Sequence, residues 1–275
     1  MSYINRMDIV ETVRTELRAA ADTFSIGKSE RGNDILCAHC GGHGGKQIII
    51  TAGIHARECY TAFVALRQIR DYNSRGDDGA YIIPLVNPDG ARFFESGDAQ
   101  GSEILGAYAD EYRKWKANAN GVDLNCNFDA NWGMGALNTR YVGASDYIGA
   151  YPFCAAESMA LKLFTERVMP SATVSYHCMG GELYWEFFQR GAARRRDEAF
   201  AAAVARKIGV KKVDGHLDSA GGYKDWCVQR LGIPAVTVEL IKSGSHPFCA
   251  ADFAPDVEAN ADLPAFILDL LNERS

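Results

Sequence analysis

The chain has 275 residues, 47% of them hydrophobic and 23% charged, with a formal net charge of −6. Those values suit one sizeable globular core, and the negative balance excludes a global attraction to nucleic acid or to anionic membrane. The N-terminal stretch MSYINRMDIVETVRTELRAAADTF has no uninterrupted apolar run of the kind a secretion signal needs, and no window approaches the roughly 18 apolar residues of a membrane-spanning helix, so a cytoplasmic location is expected.

Residues 6–22 carry helical periodicity, with Val10, Val13, Leu17 and Ala20 on one face. FSIGKSERGNDILCAHCG reads as a hairpin turning through residues 31–34. A buried strand is predicted over 46–53, a helix over 59–72 and a strand over 81–87. An amphipathic helix is predicted over 106–118, followed by the loop GVDLNCNFDANWGMG. Further on, the pattern predicts a helix over 155–168 and strands over 172–177 and 182–188. Helices over 195–208 and 220–231, a strand over 234–240 and a helix over 255–272 complete the chain. Alternating strands and helices imply an α/β fold, with a mixed, mostly parallel twisted sheet flanked by helices on both faces. No linker or repeat interrupts the pattern, so a single domain over 1–275 is expected, with the helix and hairpin of about 1–45 packed on it.

Two features read as structural. The run Arg194, Arg195 and Arg196 reads as a solvated helix face. The eight cysteines (37, 40, 59, 126, 154, 178, 227 and 249) read mostly as small buried apolar residues, because cytoplasmic thiols stay reduced. Cys37 and Cys40 form a lone CxxC without the second pair of a structural zinc site.

Chemistry concentrates at strand ends, where open α/β sheets gather ligands. In ITAGIHARECYTAF an apolar strand is followed by His55 and Glu58. Their spacing brings both side chains to one side if a helical turn begins there, and both are zinc donors. Taken alone, HxxE is equally a surface His and Glu at a helix start. In ATVSYHCMGG a second strand ends at His177. Two His and one Glu make a catalytic zinc set with a position open for water, although a core histidine is the plain alternative. In PAVTVELIKSG, Glu239 lies on an otherwise apolar strand, where a carboxylate is costly to bury without a partner. It is a candidate general base, or a structural partner of Lys242. In GVDLNCNF, Asp123 is placed to accept the outer ring N–H of a ligating histidine. Asn125 is placed to bond a substrate carboxylate or carbonyl. Asn and Asp also form ordinary turns.

Taken in order, GIHARE, VNPDG, GVDLNCNF, SYH and TVEL resemble the zinc carboxypeptidases of the pancreatic type over roughly residues 46–242. The resemblance implies one zinc ion held by His55, Glu58 and His177, and Glu239 as the catalytic glutamate. It implies that Asp123 orients the first histidine and that Asn125 holds the substrate carboxylate. It places Lys116, or alternatively Arg113, near the arginine that stabilises the oxyanion. Two positions depart from the family pattern. Cys126 stands where the NRN motif has its carboxylate-clamping arginine, and a thiol cannot form that bidentate fork. Val228 stands where a tyrosine is common.

GYKDW, HCMGGELYW and YIGAYPF further resemble the bacterial γ-D-glutamyl-meso-diaminopimelate peptidases. That likeness implies a peptide substrate derived from muropeptides, with Arg140 and Tyr223 as candidates for reading its diaminopimelate end. The rival expectations are a deglutamylase or other carboxypeptidase of the same mechanism, an inactive binding module for cell-wall peptides, and a thiol protein.

Overall fold

A computed structural model describes residues 8–20, 22–74, 76–215 and 219–273. Its first helix, α1 (Ile9–Ala19), begins where the Asp8 carboxylate accepts the Glu11 N–H. Residues 6, 7 and 21 of the predicted helix, and the ends of the expected 1–275 unit, lie outside the described residues. The predicted hairpin forms as β1 (Thr23–Lys28) and β2 (Asp34–Gly41), paired antiparallel. β3 (Gln47–Thr51) leads into a 3-10 turn over Ala56–Thr61 and α2 (Ala62–Arg70). β4 (Gly79–Ile83) is followed by α3 (Pro88–Ser96) and α4 (Glu103–Ala107), with 3-10 turns at Ala109–Lys114 and Leu124–Cys126. Then come α5 (Ala156–Val168), β5 (Ala172–Cys178), β6 (Glu182–Tyr184), α6 (Gly191–Ile208) and β7 (Lys211–Val213). The chain ends with α7 (Tyr223–Trp226) and a π turn over Cys227–Leu231, β8 (Ala235–Leu240), α8 (Ala254–Asn260) and α9 (Leu263–Glu273).

The strands form one mixed eight-stranded sheet in the order β1-β2-β4-β3-β5-β8-β6-β7. Its centre, β4-β3-β5-β8, is parallel. The ladders β1-β2, β2-β4 and β8-β6 are antiparallel. Side chains alternate between faces along a strand, so β3 serves two cores. Ile48 and Ile50 join the apolar residues of α1, α2 and α9 on one face. Ile49 joins those of α5 and α7 on the other. This is the expected α/β architecture with helices on both faces.

Several expected elements change shape. The helix predicted over 106–118 is replaced by short turns and extended chain from Trp115 onward. The backbone there is satisfied from elsewhere. Lys116 O accepts the Ala56 N–H at 2.9 Å, Asn118 N–H donates to Val122 O at 3.0 Å, and Asn87 Nδ2 donates to Ala117 O at 3.1 Å. The strand predicted over 182–188 stops at Tyr184, because the Gln189 amide takes the Phe187 N–H and the Trp185 carbonyl. The strand predicted over 81–87 is shorter, since Asn87 leaves it to cap α3, a helix the apolar pattern did not reveal. The closing helix is broken between α8 and α9.

All eight cysteines are free. Five are buried, Cys40 and Cys154 are half-buried, and Cys249 is exposed. Among the described residues, no helix is long and apolar enough to cross a membrane.

Candidate functional site

β3 ends at Thr51, and the chain turns sharply at Gly53, whose φ is +59°. That left-handed backbone favours glycine, and a Cβ there would also press on Leu85 Cδ1, 2.5 Å away. The Gly53 N–H is held by Thr61 Oγ1 at 2.9 Å. His55 is extended and occupies the N-cap position of the 3-10 turn in which Glu58 lies. His177 reaches the same place from the end of β5.

All three side chains are buried. His55 Nδ1 lies 2.9 Å from Glu58 Oε1, His177 Nδ1 lies 3.2 Å from Glu58 Oε2, and the two Nδ1 atoms are 3.3 Å apart. His55 Nε2 lies 3.2 Å from Asp123 Oδ1. If that nitrogen donates to the carboxylate, the Nδ1 lone pair is left facing inward. The donor set and its spacing suit one tetrahedral zinc ion, whose ligands at about 2.1 Å stand roughly 3.3 Å apart. Among the described residues, this is one of three groups able to converge on a metal.

Electrostatics tie the set together. Burial alone would raise the Glu58 carboxyl, but the His55 charge and hydrogen bonds from both histidines hold it well below the usual range. Burial alone would lower His55, yet Glu58 and Asp123 raise it to about 9. Asp123 is fully buried. Lys116 and then His55 overcome the cost of burial and hold its carboxyl well below normal.

The site opens into a cavity of about 340 Å³. Glu239, in β8, lines it. Burial, and then the charge of Glu58, push its carboxyl up to about 8. Lys116 also lines it, with its Nζ 2.6 Å from Asp123 Oδ2 and 3.0 Å from Asp146 Oδ1. One of its three donors is left for a ligand. Asn125 lines the cavity too, its Oδ1 accepting the Tyr223 N–H at 3.1 Å. Cys126 is on the wall, and burial followed by the Asp123 charge keeps its thiol far above the normal range.

Three other candidates lie away from this wall. Arg140 is exposed, with its guanidinium 5.0 Å from the centre of the Trp132 ring. Tyr223 is buried, and its hydroxyl bonds Thr165 Oγ1 at 2.8 Å, so only its backbone serves the site, through Asn125. Arg113 stacks at 4.5 Å on Phe94 and bonds the Phe94 carbonyl.

The cavity also gathers residues to which the sequence reading gave no role. Arg57, between the two HxxE donors, lines it with a buried Nε that has no hydrogen-bond partner among the described residues. Its place inside HARE was the available signal. Lys224 also lines it, with its Nζ 2.5 Å from Asp225 Oδ1 and donating to the Glu186 carbonyl at 3.1 Å. Asp146 and Glu186 complete a wall of mixed charge, and neither lies in a motif.

Comparison with known proteins agrees with this geometry. The family model described as zinc carboxypeptidase matches residues 7–262. The chain is 29% identical to the uncharacterized protein YqgT of Bacillus subtilis, over 92% of this chain and 75% of that one. It is 28% identical to gamma-D-glutamyl-L-diamino acid endopeptidase 1 of Lysinibacillus sphaericus, over 77% of this chain but only 58% of that protein's length. Among solved structures, bovine thrombin-activatable fibrinolysis inhibitor superposes with a TM-score of 0.77 at 20% identity, covering 97% of this chain and 95% of that one. Murein-tripeptide amidase MpaA of Escherichia coli O157 gives 0.63 at 22%, covering 91% and 94%. Both share the fold. With the converging His, Glu and His and a family match over most of its length, the chain belongs to the zinc carboxypeptidases and is a zinc-using hydrolase.

Proposed function

We propose that the protein hydrolyses the γ-D-glutamyl amide bond to a diamino acid, as in cell-wall peptides that carry meso-diaminopimelate. The observation that carries this reading is the paired charge on the cavity wall. Lys224, paired with Asp225 Oδ1 and donating to the Glu186 backbone carbonyl, keeps one N–H for a ligand, and Asp225 and Glu186, whose carboxylate is paired with Arg194, line the same small space. The free end of diaminopimelate bears both an ammonium and a carboxylate, and this wall complements both. A simple C-terminal carboxylate would instead call for the bidentate arginine that Cys126 replaces. The 28% identity to a γ-D-glutamyl-L-diamino acid endopeptidase supports the same substrate class.

In this reading His55, Glu58 and His177 hold the zinc ion, and Asp123 fixes the His55 ring. Zinc, when bound, supplies a positive charge that acidifies water, polarises the scissile carbonyl and favours the basic form of Glu239. Glu239 takes a proton from the attacking water as its oxygen bonds the carbonyl carbon. Lys116, held between Asp123 and Asp146, directs its remaining N–H at the developing oxyanion. As the C–N bond breaks, Glu239 passes that proton to the departing amine, and the new carboxylic acid gives up the second water proton, which the amine takes up, leaving a carboxylate and an ammonium. Asn125, anchored by the Tyr223 backbone, orients the substrate. Arg140 and the Tyr223 hydroxyl have no part in this set.

The test is mass spectrometry of L-Ala-γ-D-Glu-meso-diaminopimelate after incubation with zinc-loaded protein, with Glu239→Gln as control. Release of diaminopimelate by the wild type alone is expected. Cleavage of poly-γ-glutamate or of protein C-termini in its place would redirect the substrate class. Tight binding without cleavage would favour a binding module.

A further inference from the structure

We propose that Asp22, His39 and His43 form a second metal site, separate from the catalytic cavity, for a divalent transition ion of the zinc class. None of the three lines the catalytic cavity. Their donor atoms converge within 4.8 Å. Asp22 Oδ2 lies 3.4 Å from His39 Nδ1 and 3.4 Å from His43 Nε2.

The tautomer of His39 is set by its surroundings. The Gln47 side-chain amide donates from Nε2 to Gly42 O at 3.0 Å and to Gly45 O at 3.3 Å. Its Oε1 is thereby turned to His39 Nε2, 3.1 Å away, and can only accept. His39 therefore carries its hydrogen on Nε2, and its Nδ1 lone pair points at the Asp22 carboxylate. A lone pair facing a carboxylate oxygen is repulsive unless a cation stands between them. An outer ring N–H held by a fixed acceptor is also how metal-bound histidines are oriented.

The backbone is set for the same purpose. The His39 N–H donates to Asp22 O at 2.8 Å, which ties the start of β1 to β2. His43 lies in a glycine loop pinned on both sides, with Gly42 N–H on Asp78 O and Gly45 N–H on Asp77 O. Gly79 leaves room beneath, since a Cβ there would lie 2.5 Å from His39 Nε2 and 2.6 Å from Gln47 Oε1. The His39 and His43 rings stack with centroids 3.8 Å apart. His43 is exposed, which leaves its ring room to turn about its side-chain bonds as it takes up an ion. The group borders a surface cleft of about 410 Å³, which gives an ion a way in. Two imidazoles and one carboxylate, with positions left for water, select zinc, nickel or copper over magnesium or calcium. Bound there, the ion would clip the entry to β1 onto the loop between β2 and β3.

The experiment counts metal. Metal-free full-length protein is equilibrated with Zn²⁺, desalted and analysed by elemental mass spectrometry, and a Zn²⁺ titration reads the affinity. Two equivalents per chain are expected for the wild type. One is expected for His43→Ala and for Asp22→Asn, with peptidase activity held close to wild type by the intact first site and the melting temperature in excess zinc below that of the wild type, because the second ion no longer favours the folded chain. His177→Ala should keep one equivalent, and His177→Ala combined with His43→Ala should keep none. Gln47→Leu should weaken the second equivalent by about 10–100-fold without moving the first. A wild type that binds one equivalent, or a second equivalent that survives both His43→Ala and Asp22→Asn, would overturn the site.

Discussion

His177 and Glu239 are directly opposed partners in the parallel ladder between β5 and β8. Paired residues on neighbouring strands point to the same face of a sheet, so the register that aligns Thr173 with Ala235 also brings the third candidate metal donor and the candidate base into one cavity. A one-residue slip would turn one of them to the opposite face.

Glu239→Gln keeps the shape of the side chain but removes its basicity. It is expected to bind zinc as the wild type does and to lose about 10²–10⁴-fold in kcat, the usual contribution of a positioned base. Zinc analysis beside steady-state kinetics checks this. Metal loss in the variant would show that Glu239 serves the metal site instead.

Lys116→Met leaves Asp123 buried beside His55 with no ammonium partner. A destabilisation of roughly 3–5 kcal/mol is expected at neutral pH. The sign of its pH dependence follows from Asp123. A carboxyl held below its unfolded pKa contributes stability above that value, roughly pH 4, and loses the contribution as pH falls towards the depressed folded value. The gap between wild type and variant should therefore shrink below about pH 4. Denaturant unfolding of metal-free protein at several pH values measures it, and a pH-independent gap would rule out the pair as its source.

Lys224→Met should raise KM for the diaminopimelate peptide by about tenfold or more while changing kcat less, because a group that binds ground state and transition state alike acts on KM. It lines the cavity through contacts with Asp225 and the Glu186 carbonyl and makes none of the hydrogen bonds or ion pairs of His55, Glu58 and His177. An equal fall in kcat and kcat/KM would instead give Lys224 a role in the transition state.

Gly53→Ala forces a Cβ onto Leu85 at a left-handed φ. A cost of about 1–2 kcal/mol for the backbone alone is expected, together with weaker zinc binding as His55 and Glu58 shift. Melting temperature and zinc affinity should fall together, and unchanged affinity would show that the turn does not position the donors.

Much of the site was legible in the sequence, because its donors lie at strand ends inside short motifs. His55 and Glu58 are three residues apart on one turn, His177 ends an apolar run and Glu239 interrupts one, and it was their occurrence together in ordered motifs, more than periodicity alone, that pointed to them. The central strands were legible for the same reason, since continuous apolar runs such as IIIT and AVTV suit positions buried on both faces. The tertiary structure decided what depends on contacts distant in sequence. Residues 115–118 have a helical pattern but are extended, because their backbone groups bond Ala56, Asn87 and Val122. Tyr223 stands in a motif but turns its ring into the core, and the wall passes instead to its neighbours Lys224 and Asp225. Asp146, 23 residues beyond Asp123 and outside any motif given a role, meets Lys116 at 3.0 Å in a loop whose Asp146 N–H bonds the Asp123 carboxylate. Spacing along the chain fixes which residues share a turn or a strand, whereas charge pairing across a cavity depends on loops whose paths are set by hydrogen bonds to distant parts of the chain.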